Sequence, residues 1–257
     1  MTTQKDAVVV MMLTLPDRPD VADQCVEAGR CKSVCSGCKV RLFAVCSALD
    51  DREIVALEKL ARQKTIMARQ PVMCAGEPAG FVFTLTSGFL RLQRDLSDGR
   101  RQIIGFAVPG DFIGLGLSAR YAYSVDALTD VTVCGFDRLE FSMLAHKTPG
   151  LIERLHRSAS HELSLAQEHM VLLGRRRAEE RVALFLISWR KKLQRIFGPS
   201  ATLPLPMGRQ DIADHLGLTI ETVSRIVSRL GREKIILDVP DGLRVLDESR
   251  LLQLAPA

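Results

Sequence analysis

From about residue 66 to 140 the apolar residues come in short runs, among them Phe81-Val82-Phe83-Thr84-Leu85, Phe89-Leu90-Arg91-Leu92 and Val131-Thr132-Val133. Gly76, Gly80, Gly88, Asp98-Gly99 and Pro109-Gly110-Asp111 punctuate them. Strands this short with turns this frequent predict a small barrel or roll. The pattern changes after Pro149, where Ile152, Leu155, Ala159, Leu163, Ala166, Met170 and Leu173 recur at steps of three and four with no proline between them. That period predicts one long helix. Sustained over about three heptads, it suits a seam against a second helix. A helix packed on its own domain is the plainer alternative, and the length favours a partner. No carboxylate falls on the stripe, with Glu162 and Glu168 flanking it, so little charge repulsion opposes dimerisation.

Ala178 to Trp189 forms a further amphipathic run, and Pro204 and Pro206 mark a break. Residues 209–230 then carry a three-part pattern. Ala213 is small enough for two helices to cross closely, and Gly217 can take the positive φ that a tight turn between helices needs. Thr219 is placed to cap the second helix, and Val223, Ile226, Val227 and Leu230 form its inward side. Glu221, Ser224 and Arg225 are left facing outward together. In a major groove Arg225 can bond guanine through O6 and N7, Glu221 can accept from a cytosine amino group, and Ser224 can meet a base or phosphate. An ordinary helical hairpin also carries such surface residues, but the small residue, the glycine and the apolar set fall together here. Lys234 to Leu246 reads as a two-stranded wing turning at Asp241-Gly242.

Composition narrows the setting. Of 257 residues, 47% are hydrophobic and 25% charged, as in a soluble globular chain. The net charge of +5 is modest, but basic runs such as Arg175-Arg176-Arg177 and Arg190-Lys191-Lys192 sit in the C-terminal half, compatible with a polyanion. The apolar stretch from Ala7 to Leu15 is too short to span a bilayer and no signal cleavage site follows it, which places the chain in the cytoplasm without membrane attachment.

Seven cysteines in a reducing compartment point to metal or redox chemistry. Five of them fall in residues 1–50, a segment without sustained periodicity that reads as organised around a ligand and not an apolar core. Cys35, Cys38 and Cys46 lie on one short stretch, among Lys32, Lys39 and Arg41, cations that favour thiolates. Spacing alone leaves zinc and an iron–sulfur cluster both open, with a fourth ligand from elsewhere.

Leu218-Thr219-Ile220-Glu221-Thr222-Val223-Ser224-Arg225 resembles the recognition helix of Fnr/FixK-type regulators in the cyclic-AMP receptor superfamily. The resemblance extends over nearly the whole chain after residue 30. It implies an α+β architecture: a cluster-binding segment (1–50), a β-roll sensor (51–147), a dimerisation helix (148–177) and a winged helix-turn-helix (178–257). It also implies base reading by Glu221, Ser224 and Arg225 at TTGAT-like half-sites in an inverted repeat. A homodimer seam along the stripe from Ile152 to Leu173 and contact with RNA polymerase follow in the same way. The Cys-x2-Cys-x7-Cys pattern at Cys35, Cys38 and Cys46 matches the rhizobial type, whose fourth cysteine lies in the roll, where Cys134 stands. The four are thus expected to hold a [4Fe-4S] cluster that senses oxygen and controls genes for low-oxygen respiration or nitrogen fixation. Cys25 and Cys31 fall outside that pattern, and Cys74 reads as buried packing in an apolar strand.

The chain departs from nucleotide-binding relatives. After Gly110-Asp111-Phe112-Ile113-Gly114 there is no glutamate for a ribose and no Arg-Ser pair for a cyclic phosphate, Arg120 being the only nearby phosphate partner. No response to cyclic AMP is expected. A zinc-stabilised or thiol-oxidation regulator is the alternative sensor. A radical enzyme is disfavoured: Cys31, Cys35 and Cys38 fit its bare spacing, but no barrel of alternating strands and helices follows.

Overall fold

The computed structural model describes residues 35, 37–116, 118–240 and 242–255. Cys25, Cys31, Lys32 and Asp241 lie outside the described residues. The turns of residues 37–49 lead into helix α1 (Asp51–Leu60). Asp50 caps that helix, accepting from the backbone amides of Arg52 and Glu53 at 2.8 Å, while Glu53 reaches back to the Asp50 amide at 2.9 Å. This reciprocal pair satisfies amides that the first helical turn leaves free.

Eight strands follow: β1 (Arg62–Ile66), β2 (Pro71–Met73), β3 (Phe81–Ser87), β4 (Leu90–Asp95), β5 (Arg101–Ala107), β6 (Phe112–Ile113), β7 (Ser124–Ala127) and β8 (Val131–Asp137). They form two antiparallel four-stranded sheets, in the orders β1-β8-β3-β6 and β2-β7-β4-β5. Leu85, Leu90, Val125 and Val133, all fully buried, belong to the apolar core that joins the two sheets. Successive residues of a strand point to opposite faces. On β8 this puts Val131 and Val133 into the roll and Cys134 and Phe136 on its outer face.

That outer face is covered by a second core built from Val45, Leu49, Ile54, Leu57, Phe136, Phe141 and Leu151. The described part of this segment, residues 37–49, therefore packs on an apolar core, contrary to the expectation from its weak periodicity. Its apolar residues, Val40, Ala44, Val45 and Leu49, sit in turns too short to display a period.

Helix α2 (Arg138–Lys147), capped by Asp137, leads to α3 (Pro149–Arg175), the long helix the stripe predicts. Its 27 residues span about 40 Å at 1.5 Å per residue. Arg176 and Arg177 are extended, and α4 (Ala178–Phe197) runs two turns beyond Trp189. Next come β9 (Leu203–Pro204), α5 (Arg209–Leu216), α6 (Ile220–Arg232), β10 (Ile236–Val239), β11 (Gly242–Val245) and α7 (Glu248–Gln253). The predicted wing is present, and β9 adds a third strand beside β11. No helix among the described residues is long and apolar enough to cross a membrane.

Candidate functional site

The helix-turn-helix is built as its sequence pattern requires. Ile212, Ala213 and Leu216 of α5 and Val223, Ile226, Val227 and Leu230 of α6 are buried in one core, with Ala213 and Val223 fully enclosed where the helices meet. Gly217 closes α5 at φ 61° and ψ 42°, the left-handed conformation a side chain disfavours, and the Leu218 amide bonds back to the Ala213 carbonyl at 3.0 Å. Thr219 caps α6 through a bond from the Thr222 amide at 3.3 Å. Glu221 and Arg225 are exposed and Ser224 is half-buried, all on the side away from the core. Arg225 Nη2 donates to Thr222 Oγ1 at 3.3 Å, and that hydroxyl in turn meets Thr219 Oγ1 at 3.1 Å. This surface matches a helix that reads base edges while its other side packs inward.

At the other end of the chain the fold gathers thiols. Cys35 and Cys38 share a turn, the Cys38 amide bonding to the Cys35 carbonyl at 3.3 Å. Cys46 lies in the 3-10 turn Val45–Ala48, and Cys134 comes from β8. All four are free and half-buried, and Cys35, Cys46 and Cys134 pack against the core that covers β8. Each lies within electrostatic reach of the others. Burial, then Glu58 and the other three sulfurs push the Cys35 thiol up to about 12. Burial followed by Cys38 and Cys46 pushes Cys134 up to about 11. Burial and Cys38 raise Cys46 as well, while Arg41 and Arg154 pull it down. Among the described residues no group of three or more His, Cys, Asp or Glu side chains is arranged to hold a metal ion.

Cys74 differs from the expectation of buried strand packing. It lies one residue beyond β2, is half-buried, and feels Glu77 and Asp126 rather than the other thiols. A strand-like sequence context does not show where the pairing with β7 ends.

The cysteine turns rest on the start of α3 through contacts with no sequence signal. Arg154 Nη2 donates to the Phe43 carbonyl at 3.1 Å. A side chain on Gly150 would stand 3.2 Å from the Ala48 carbonyl, and one on Gly110 (φ 97°) only 2.9 Å from the Phe43 side chain. Along α3, Ile152, Ala159, Leu163, Ala166 and Met170 are exposed, Leu163 and Met170 by 60% and 63%. Within a single chain these apolar side chains lack cover. Leu155 and Leu173, near the ends of the stripe, are half-buried, Leu155 against the core over β8 and Leu173 beside Gly217. In the roll, Arg120 Nη1 is engaged by the Gly76 carbonyl at 2.5 Å.

The helix-turn-helix also packs on the roll. His215 of α5 bonds the Ile103 carbonyl at 3.1 Å, stacks on His169 of α3 with ring centroids 4.3 Å apart, and meets the edge of Phe106. Burial, reinforced by His169, depresses the His215 pKa to about 4, and burial lowers His169 too. The unfolded chain, with a histidine pKa of about 6.5, then binds more protons than the folded one between those values, so acid favours unfolding. Stability is full above about pH 6.5 and falls toward pH 4; for His215 alone the loss from pH 7 to pH 5 is about 2 kcal/mol. Urea titrations of wild type and His215→Phe at the two pH values measure it. The variant should lose much of the difference, and an identical pH dependence in both would refute the assignment.

The C-terminal residues 180–254 match the family model of the Crp-like helix-turn-helix domain, and residues 63–148 that of the cyclic nucleotide-binding domain. The transcriptional activatory protein AadR of Rhodopseudomonas palustris is 48% identical over 90% of this chain and 95% of its own. The nitrogen fixation regulation protein FixK of Bradyrhizobium diazoefficiens is 46% identical, covering 87% and 94%. The transcriptional activator protein FnrL of Cereibacter sphaeroides is 39% identical, covering 86% and 91%. Among solved structures, FixK2 of Bradyrhizobium japonicum aligns with a TM-score of 0.71 at 34% identity, over 77% of this chain and 98% of its own.

Proposed function

The chain belongs to the Crp/Fnr family of DNA-binding transcription regulators, and on that premise we propose that it is an activator that senses oxygen through a [4Fe-4S] cluster held by Cys35, Cys38, Cys46 and Cys134. Members of this family are regulators and not enzymes, which removes the radical-enzyme alternative.

The observation that carries the proposal is the shared site of four free, half-buried thiols, three from the turns before α1 and one from β8. Half-buried thiols whose ionisation burial and their neighbours oppose need a cationic centre to become thiolates, and Arg41 and Arg154 already favour the charged form at Cys46. A single zinc ion, with Zn–S about 2.3 Å, draws its sulfurs tightly together. Four thiolates would serve either centre, and the match of Cys35, Cys38, Cys46 and Cys134 to the cluster-binding cysteine pattern favours the iron–sulfur cluster. When bound, the cluster supplies an oxygen-labile tie among the four thiolates.

The chain's own residues carry the consequence. Holding Cys35, Cys38 and Cys46 against Cys134 keeps the turn at Phe43–Ala48 seated on Arg154 and Gly150, at the base of α3. That seating sets the first turns of a helix whose exposed stripe, Ile152 to Leu173, forms the seam of a homodimer. A two-fold dimer presents two copies of α6 to a two-fold site. Glu221, Ser224 and Arg225 then read TTGAT-like half-sites about one helical turn apart. The nitrogen-fixation setting follows from FixK, a nitrogen fixation regulation protein, and the low-oxygen setting from the resemblance of the cysteine pattern to Fnr-type regulators. RNA polymerase, met by loops of the roll, is the further partner, in the cytoplasm where the DNA lies. With Arg120 engaged by Gly76 and no Arg-Ser pair beside it, the roll is not expected to take cyclic AMP.

The test is the visible absorbance, with iron and acid-labile sulfide counts, of protein purified without oxygen and then exposed to air. About four iron and four sulfide per subunit, bleaching in air together with loss of binding to a duplex bearing inverted TTGAT half-sites, is the expected result. A colourless protein holding zinc or no metal, with DNA binding indifferent to air, would overturn the oxygen-sensing reading. The DNA-binding assignment would remain and sensing would move to thiol chemistry.

A further inference from the structure

The outer face of the β4–β5 hairpin is covered by α5, and the contact is strongly charged. Arg91 places Nη1 2.7 Å from Asp211 and Nη2 2.9 Å from Asp126 on β7. Arg101 Nη2 lies 2.9 Å from Asp211 and 2.7 Å from Asp214, and its Nε is 3.1 Å from the same Asp214 oxygen. Gln102 donates to the Asp214 carbonyl at 2.7 Å. Lys192 of α4 adds a bond to the Phe106 carbonyl and an ion pair with Asp111, each at 2.8 Å. The side chains of Arg91, Asp211 and Asp214 are less than one-fifth exposed. Beneath them Phe106 packs edge-on against Phe185 and Trp189.

Ion pairs removed from water add little net stability, because desolvation offsets their attraction. Their directional requirement is stronger: two guanidinium groups bonding carboxylates one turn apart on α5 admit few orientations of that helix. Helix α5 packs on α6, whose Glu221 and Arg225 stay exposed. The same contacts neutralise Asp211 and Asp214, carboxylates on the helix that crosses the phosphate backbone in this type of module. The alternative to this docking is a helix-turn-helix swinging on the extended residues Arg176 and Arg177.

We propose that the β4–β5 hairpin is a latch for DNA recognition, in which Arg91 and Arg101 are positioning residues that hold α5, and through it α6, in the DNA-competent orientation. The inference rests on the DNA-reading role of α6 given above. A docked domain presents the reading helix already oriented, so less orientational freedom is lost on binding. Undocking leaves both domains folded and weakens DNA binding.

The experiment uses the full-length protein, kept free of oxygen, as wild type, Arg101→Glu, the charge swap Arg101→Glu with Asp214→Arg, and the milder Arg101→Gln should the reversal fail to fold. Two readouts are taken: affinity for the inverted TTGAT duplex, and the rate of trypsin cleavage after Arg175 or Arg177. Arg101→Glu should bind about tenfold or more weakly, with unchanged iron content, and should be cut faster; Arg101→Gln should shift both in the same direction, and the swap should recover both. Equal or tighter binding by Arg101→Glu or Arg101→Gln overturns the proposal, since the contact would then be neutral or inhibitory. Should the wild type itself fail to prefer this duplex over a scrambled one, the half-site assignment fails, and cleavage still decides the latch: unaccelerated cutting of the variants overturns it.

Discussion

Cys134→Ala is expected to abolish the proposed cluster while leaving the fold intact. Cys134 sits on the outer face of β8, opposite Gln63 on one side and Thr84 on the other, and is half-buried at the edge of a core whose large apolar members lie elsewhere. Truncating it removes one sulfur, and its stability cost should be near the typical 1 kcal/mol of single substitutions. The effect on the metal site is much larger, because three thiolates from the turns before α1 then have no fourth partner from the roll. Iron should fall from about four per subunit to near zero, and DNA affinity without oxygen should drop to that of the air-exposed wild type. Cys74→Ala is the control, since Cys74 stands apart from the other thiols. It should retain iron and oxygen response in full. Iron and sulfide counts on the two variants, with melting temperatures as a check on folding, decide the matter, and retention of the full complement by Cys134→Ala would remove Cys134 from the ligand set.

Arg225→Ala is expected to cost the most in DNA binding. Arg225 is exposed and contributes to no core, so its removal should leave stability within about 0.5 kcal/mol. A bidentate pair to guanine discriminates by about 1–3 kcal/mol. A dimer makes two such pairs, so the loss at a symmetric site is about 2–6 kcal/mol, or roughly 30-fold to more than 10,000-fold. Arg225→Lys keeps the charge and loses the planar fork, and should restore general affinity without restoring the base preference. Competition binding against duplexes changed at one symmetric base pair per half-site measures both quantities. If Arg225→Ala kept the wild-type preference at every position, base reading would belong to other residues of α6.

The parts of this protein that were legible in the chain are those set by local periodicity. The α3 stripe and the inward set of α6 repeat with the helical period; the four α6 residues are buried as read, while on α3 the middle of the stripe is exposed and Leu155 and Leu173 pack within the chain. Gly217 and Thr219 were identifiable for a related reason, since a left-handed turn and a helix cap each depend on one residue's own conformational preference. The extent of the wing and the strands of the roll followed from turn residues between short apolar runs. Where the runs were shorter still the reading failed. Residues 40–49 contribute four apolar side chains to the interior, from turns with no period to reveal them. Cys74, in an apolar context, stops short of burial because its strand ends one residue earlier.

The sequence by itself determined the long helix α3, the helix-turn-helix and the two wing strands, the outward placement of Glu221, Ser224 and Arg225, and the local grouping of Cys35, Cys38 and Cys46, because these depend on neighbours within a few turns of chain; α1, α2, β9 and α7 carried no signal strong enough to be read. It determined Cys134 as a fourth thiol only through resemblance, since a lone cysteine in a strand carries no signal of its own. Only the tertiary structure decided which distant groups meet. Arg154 reaches Phe43 across 111 positions, and Arg101 reaches Asp214 across 113. No period or spacing encodes such a pairing. It arises when the roll closes, α3 folds back over the cysteine turns and α5 settles on β4 and β5, so that charges of ordinary appearance in the chain become the contacts that link the thiol site to one helix and the DNA-reading helix to the roll.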